Sequence, residues 1–219
     1  MAVAVLQANL GGLDSPLRHE IQSLRHDYYL FDDNTHPTRF KALTARLQAK
    51  IPKMFGWQLK PNYEYYLWLD GNISLNHSKT LQYFYDQIQG YDIVVLKHPR
   101  HPNIRQEVRY TRKGINQQSI YMVSRYQGEY LQELYDVIRK DKSYVDDLLV
   151  IGGVFMYRNT PEVQKMFKEW WYYVSRYCIQ DQISFAYVLK KSGIKVKVLD
   201  HPYDQWDYLK PIRHKKRNV

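Results

Sequence analysis

Four groups of residues could do chemistry. Asp70 and Asn72 flank Gly71 directly after the apolar run Tyr66-Leu67-Trp68-Leu69. Two oxygen-bearing side chains two residues apart can meet one hard cation. Such a cation neutralises a diphosphate that bare carboxylates would repel. The same three residues also make an ordinary strand-to-helix turn. Asp181-Gln182 stand where a helix opens, so Asp181 is either a partner of the helix dipole or a carboxylate facing a bound sugar. His201 follows the last apolar run in Leu199-Asp200-His201-Pro202. It is a surface histidine, or one ligand of a metal whose other ligands lie elsewhere in sequence. Gly152-Gly153 interrupts a stretch otherwise suited to burial, which points to the close approach of a ligand or of another backbone.

The elements that position these residues follow from periodicity and punctuation. Strands are expected over residues 2–8, 27–32 (short and buried), 65–70, 92–96, 149–157 and 195–199. Residues 9–12, Asn-Leu-Gly-Gly, give a loop signal after the first strand. A helical stretch opens at Pro37, with Phe40, Leu43, Leu47 and Ile51 on one face. Leu81, Phe84, Tyr85 and Ile88 mark a second helix, stopped by Gly90, and residues 130–138 a third. The best-marked helix has Thr160 as cap, Pro161 in its first position and Glu162 at the positive end of its dipole. Val163, Met166, Phe167, Trp170, Val174 and Tyr177 then recur at helical spacing. Another helix covers residues 180–191. Residues 98–116 are highly charged without a clear period and read as a long loop. The alternation predicts one α/β Rossmann-like domain, with a mainly parallel twisted sheet flanked by helices. Ligands of such sheets bind beyond the carboxyl ends of the strands. The domain is expected to span residues 1–210, with 211–219 a basic tail.

Composition excludes several classes. The 219 residues are 44% hydrophobic and 25% charged, which is globular rather than disordered. Cys178 is the single cysteine, so there is no disulfide framework. No apolar run approaches the ~20 residues of a membrane span, and residues 1–8 are too short and too quickly polar for a signal peptide. A reducing, cytoplasmic setting is the expectation. The net charge of +10 suits phosphate-bearing partners, although part of it sits in Arg213, His214, Lys215, Lys216 and Arg217. The 21 tyrosines suit half-buried core edges as well as stacking on bases or sugars.

Taken in order, Asn9-Leu10-Gly11-Gly12, Tyr66-Leu67-Trp68-Leu69-Asp70-Gly71-Asn72, His98-Pro99-Arg100, Gly152-Gly153-Val154-Phe155 and Asp181-Gln182-Ile183-Ser184-Phe185 resemble nucleotide-sugar glycosyltransferases of the type A fold. The set is most similar to the compact glycosyltransferase-like family of plants and bacteria. It is also similar to the small glycosyltransferase domains of large algal viruses, which act on capsid glycans. The resemblance covers most of the chain, from about Val3 to His201.

The resemblance implies that Asp70 and Asn72 replace the family's Asp-x-Asp motif and face a manganese or magnesium ion on the donor diphosphate, with His201 completing the site. It implies that Ala8, Asn9 and Leu10, with Asp32 or Asp33, hold the base and ribose of a UDP-sugar. Arg39, Arg46 and Lys50 approach the donor, and Trp68 and Leu69 belong to the same donor side. Gly152, Gly153 and Asp181 line the sugar and reaction centre, with Gln182 beside them. The acceptor would be a glycan or glycoprotein, a viral capsid or surface polysaccharide among the options. Asn72 departs from the family pattern; as a neutral oxygen donor it implies weaker or water-mediated metal binding. Residues 98–116, with His98, Arg100, Arg105 and Glu107, would close over the donor or hold the acceptor. Two rival readings are a catalytically inactive nucleotide-sugar binder and a basic nucleic-acid-binding module; no recognised nucleic-acid motif supports the latter.

Overall fold

The computed structural model describes residues 2–15, 17–36, 43–201 and 206–212. Arg39, Phe40 and the basic residues 213–217 lie outside them. In chain order the elements are β1 (Val3–Asn9), β2 (Asp27–Asp32), α1 (Ala45–Leu59), β3 (Tyr65–Asp70), β4 (Ile73–Leu75), α2 (Thr80–Ile88), β5 (Ile93–Lys97), α3 (Ile104–Asn116), α4 (Ile120–Tyr126), α5 (Leu131–Lys140), β6 (Val150–Arg158), α6 (Pro161–Arg176), α7 (Asp181–Lys191), β7 (Val196–Leu199) and β8 (Leu209–Pro211).

Six strands form one sheet in the order β2-β1-β3-β6-β5-β7. β6 runs antiparallel to both neighbours, and the other neighbouring pairs are parallel. The expected α/β architecture with a mainly parallel sheet is what the chain adopts. The carboxyl ends of β1, β2, β3, β5 and β7 share one edge, and the antiparallel β6 begins there. Asn9, Asp32, Asp70 and Lys97 are therefore brought to the same edge as Val150.

Both faces of the sheet are covered, so strands such as Tyr65–Asp70 read as continuous apolar runs. Tyr66 and Trp68 of β3 point into the larger core, which includes side chains of α1, α3, α5, α6 and α7. Tyr65, Leu67 and Leu69 point into the opposite core, with Leu81, Phe84 and Ile88 of α2. A two-stranded ribbon of β4 and β8 lies by this second core, and Ile73 pairs with Pro211.

Several expectations are corrected. β2 has the predicted bounds but is an edge strand in which only Phe31 is buried. The charged stretch read as a loop over 98–116 holds α3, capped by the side chain of Asn103 on the Gln106 amide. Its buried stripe is Ile104, Glu107, Val108 and Thr111. Two polar members in that stripe hid the period. Helix α1 begins at Ala45 under the Thr44 cap and continues through Pro52. Its backbone leaves helical geometry at Phe55, near the proline that removes one intrahelical bond. The α6 cap is as the sequence indicates, with Thr160 accepting from the Val163 amide.

Gly56 shows how closely α1 lies on the sheet. A β-carbon there would sit 2.2 Å from Cδ1 of Leu6, a fully buried β1 residue. Alanine is the better helix former by ~1 kcal/mol, whereas overpacking a core costs about 1–3 kcal/mol. Gly56→Ala is expected to destabilise the protein by a net of up to about 2 kcal/mol. Urea unfolding would read this as a lower midpoint with an unchanged slope.

Candidate active site

A buried lysine organises the carboxyl edge. Lys53 of α1 is 1% exposed at its side chain, and its ammonium lies 2.5 Å from Asp181 Oδ2 and 3.1 Å from Asp70 Oδ1. Lys50, one helical turn earlier, reaches the same Asp181 oxygen at 2.7 Å. Trp68 and Trp170 flank Lys53, with ring centroids 5.6 and 5.7 Å from its ammonium. These faces attract the cation while excluding water.

Each partner is held from behind. The Trp68 indole donates to Asp70 Oδ1 at 2.8 Å. The Trp170 indole donates to the Asp181 carbonyl at 3.0 Å and its ring stacks on Phe185, centroids 4.0 Å apart. The aromatic helix α6 thereby fixes the start of α7. The N-cap of α7 is Gln180, with no capping side chain, and the Asp181 carboxylate is turned to the lysines instead. Asp181 is thus not the cap of α7, although it stands as the acid of its first turn.

Gly152 and Gly153 make room for this network. A β-carbon on Gly152 would lie 3.2 Å from Asp181 Oδ1 and 3.4 Å from Lys53 Nζ; one on Gly153 would lie 3.4 Å from Asp70 Oδ2. Gly152 thus admits charged side chains, whereas the nearest neighbour of a β-carbon on Gly153 would be the Ile73 side chain, at 2.9 Å. Gly71 is needed for a similar reason. A β-carbon there would lie 2.6 Å from the Ala8 carbonyl oxygen and 3.3 Å from Asp14 Oδ2.

Burial on its own would raise the Asp181 carboxyl, but Lys50 and Lys53 overcome it and hold the acid below the usual carboxylate range. Burial likewise opposes the charge of Lys53, yet Asp181 and then Asp70 raise its pKa. Lys50 is the weaker base: burial lowers it and Lys53 adds to the effect, against the pull of Asp181. Cys178, in contrast, is buried and pushed up to about 12 by that burial, an inert thiol.

The expected residues divide as follows. Asp70, Lys50, Asp181, Gly152, Gly153 and Trp68 come together. Leu69 does not, because strand alternation turns it into the opposite core. Asn72 donates to the Ile212 carbonyl at 3.0 Å and accepts the Ile212 amide at its own carbonyl, tying down the end of the described chain. Arg46 donates to the Ser124 carbonyl of α4. Asn9 exchanges hydrogen bonds with the Asp14 backbone. Ala8 and Leu10 are buried beside it. Asp32 caps its own turn, accepting from Asn34 and Thr35. Asp33 clamps the Gly11 amide, 3.0 Å to each oxygen, in a loop where Gly11 takes φ +70°. Gln182 donates to Glu107 at 2.5 Å. Lys53 and Asp14 were not singled out in the sequence. Lys53 carried a signal, since Arg46, Lys50 and Lys53 fall at helical spacing; Asp14 carried none.

The fit of a hard cation rests on Asp70 and Asn72. Among the described residues Asp70 Oδ2 and Asn72 Oδ1 have no protein partner, and the Asp14 carboxylate lies beside Gly71 between them. A few oxygens with room for water suit magnesium or manganese. His201 belongs elsewhere: its Nε2 pairs with the Tyr83 hydroxyl at 2.7 Å and its ring stacks on Trp206. β7 lies three strands from β3, about 14 Å across the sheet. No hydrogen bond joins His201 to Asp70 or Asn72.

Residues 39–205 match the family model described as "TOD1/MUCI70, glycosyltransferase-like domain". The chain belongs to this family. The resemblance to glycosyltransferases carried by its ordered motifs is thereby borne out, and the chain is placed among glycosyltransferase-like enzymes. No curated protein matches it. Its fold is similar to the bifunctional glycosyltransferase WbbM, solved without ligand, with TM-score 0.52 and 14% identity over 94% of this chain and 39% of WbbM. A glycosyltransferase involved in glycosylating the major capsid of PBCV-1 aligns with TM-score 0.47 and 9% identity, over 91% of this chain and 83% of that one. A197 from STIV aligns with TM-score 0.43 and 12% identity, over 91% and 82%. Among the described residues no helix is long and apolar enough to cross a membrane.

Two outcomes follow. Lys53→Met leaves Asp181 buried with one cation fewer, and loss of one partner of a buried pair costs about 3–5 kcal/mol; chemical denaturation would measure it. The depressed Asp181 pKa stabilises the fold above the unfolded value of ~3.9 and loses this contribution as pH falls through the folded value. The stability gap between the unaltered protein and Asp181→Asn should therefore be constant from pH 7 to about 5 and narrow below about 4. A gap independent of pH would contradict the ion-pair assignment.

Proposed function

We propose that the Lys53–Asp70–Asp181 edge binds a nucleotide diphosphate sugar, with a UDP-sugar as the donor read from the family resemblance, and transfers its sugar to a glycan or glycoprotein. The observation that carries this reading is the juxtaposition, at the carboxyl edge of a glycosyltransferase-like fold, of a cation-ready carboxylate with a buried carboxylate held ionised. A divalent ion held by Asp70 and Asn72, when bound, would neutralise negative charge gathering on the departing diphosphate. Manganese or magnesium, held in part through waters, fits this oxygen set.

The chain's own residues supply the rest. Asp181 Oδ2 is occupied by the lysines, whereas Oδ1 has no protein partner among the described residues and is not sealed from solvent. That oxygen faces the space left by Gly152. An ionised carboxylate there stabilises positive charge at the sugar carbon as the bond to phosphate breaks. Lys50, 16% exposed at its side chain, lies where its charge can meet phosphate. Trp68 and Trp170 hold the geometry dry, so little reorganisation accompanies reaction.

Calorimetry with UDP, with and without manganese, tests donor binding. The unaltered protein should bind UDP at least tenfold more tightly with manganese, and Asp70→Ala should lose that gain while remaining folded at a lower melting temperature, because it removes one of the two carboxylates that face buried Lys53. Asp181→Asn should keep UDP affinity and lower hydrolysis of UDP-glucose or UDP-galactose by about 100-fold, the scale of a lost electrostatic stabiliser. Manganese-independent UDP binding, or full turnover by Asp181→Asn, would refute the respective role.

A further inference from the structure

A second network sits beside the first and has no part in it. Glu107 of α3 is 4% exposed, and its carboxylate accepts at both oxygens. Oε1 takes the side-chain amides of Gln180 at 2.6 Å and Gln182 at 2.5 Å. Thr111 donates to the Gln180 carbonyl oxygen at 3.0 Å, which turns that amide's nitrogen to Glu107. Oε2 takes Nδ1 of His101 in a short hydrogen bond and lies 3.9 Å from Nε2 of His98.

The bonding fixes where the hydrogens are. His98 Nδ1 accepts the amides of Arg100 at 3.3 Å and His101 at 2.9 Å, so its hydrogen is on Nε2. That nitrogen offers no lone pair to a cation, which argues against reading His98, His101 and Glu107 as a metal site despite their ligand-type atoms. His101 is the reverse. Its Nδ1–H is given to Glu107, and its Nε2 keeps the lone pair, without a protein partner among the described residues and not sealed from solvent. A buried carboxylate behind an imidazole with an open Nε2 is the arrangement that fixes a histidine's tautomer and orients its ring.

Its place in the fold gives it a task. Gln180 and Gln182 flank Asp181 on α7. The His98 amide donates to the Leu149 carbonyl at 2.9 Å, three residues before Gly152, about 10 Å along the strand. We propose that His101 accepts the proton of the incoming hydroxyl, with Glu107 as its positioning residue; this rests on the transferase reading above. The acceptor oxygen bonds to the sugar carbon while the carbon–oxygen bond to the diphosphate breaks and leaves its electron pair on the diphosphate. The hydroxyl proton moves to His101 Nε2 and then to solvent. Transfer by this single displacement inverts the sugar carbon.

The test uses the whole chain, with water as acceptor and UDP-glucose or UDP-galactose as donor in the presence of manganese. His101→Ala should lower hydrolysis by about 100-fold or more, bind UDP within about twofold of the parent, and regain activity with added imidazole. Among the described residues the groups facing His101 are Glu107 and Tyr110 of α3 and His98 of the preceding turn, which in turn faces Arg100. Glu107→Gln removes the acceptor that holds the Nδ1–H tautomer of His101, so it should lower kcat for hydrolysis while KM for the donor stays within about twofold. Long-range proton–nitrogen NMR of the unaltered protein should place the His101 hydrogen on Nδ1. Undiminished hydrolysis by His101→Ala, an unchanged kcat in Glu107→Gln, a hydrogen on Nε2, or no hydrolysis by the unaltered protein would overturn the assignment. Failure of the unaltered protein to bind UDP would count against the donor reading, while the tautomer still decides the pairing of His101 with Glu107.

Discussion

The site depends on one buried cation. Lys53 has almost no exposure, and its charge is tolerable there only because Asp181 and Asp70 face it and two indoles flank it. This requirement reaches outward. It calls for glycine at 152, for a helix α1 that delivers Lys50 and Lys53 to the strand ends, and for Trp170 to pin the start of α7. A neutral residue at any charged position would take a partner from a buried charge, so the carboxylates and lysines act as one unit.

The same constraint separates the roles of the two aspartates. Asp181 is enclosed and doubly paired, and its acid is held ionised by its neighbours. Asp70 is 37% exposed at its side chain and keeps one oxygen without a protein partner among the described residues. One carboxylate is built into the interior and the other is open at the strand end. An enzyme that separates a sugar from a diphosphate must meet positive charge at one atom and negative charge at another. The arrangement provides for both within one turn of α1.

Much of this was legible in the residues. Alternating apolar runs and the Thr160-Pro161-Glu162 start gave the layered fold, because burial on both sheet faces and helix capping are local properties. Asp70 stood out as a carboxylate ending an apolar strand, and the glycine pair as an interruption of one. Lys53 shares helical spacing with Arg46 and Lys50, but its burial was hidden because a buried lysine looks in sequence like any surface lysine. Only the carboxylates brought by β3 and α7 show why it is inside. Helix α3 was hidden because Glu107 and Thr111 occupy its buried stripe as partners of Gln180. The placement of His201 was not legible because strand order, rather than sequence distance from a strand end, decides which edge residues meet.

The most direct measurement is anomalous diffraction from crystals soaked with manganese and UDP. The account predicts a manganese peak bonded to Asp70 Oδ2, with the diphosphate against it and Lys50 nearby. A peak against His98, His101 and Glu107, or a nucleotide bound away from the Lys53–Asp70–Asp181 edge, would contradict it.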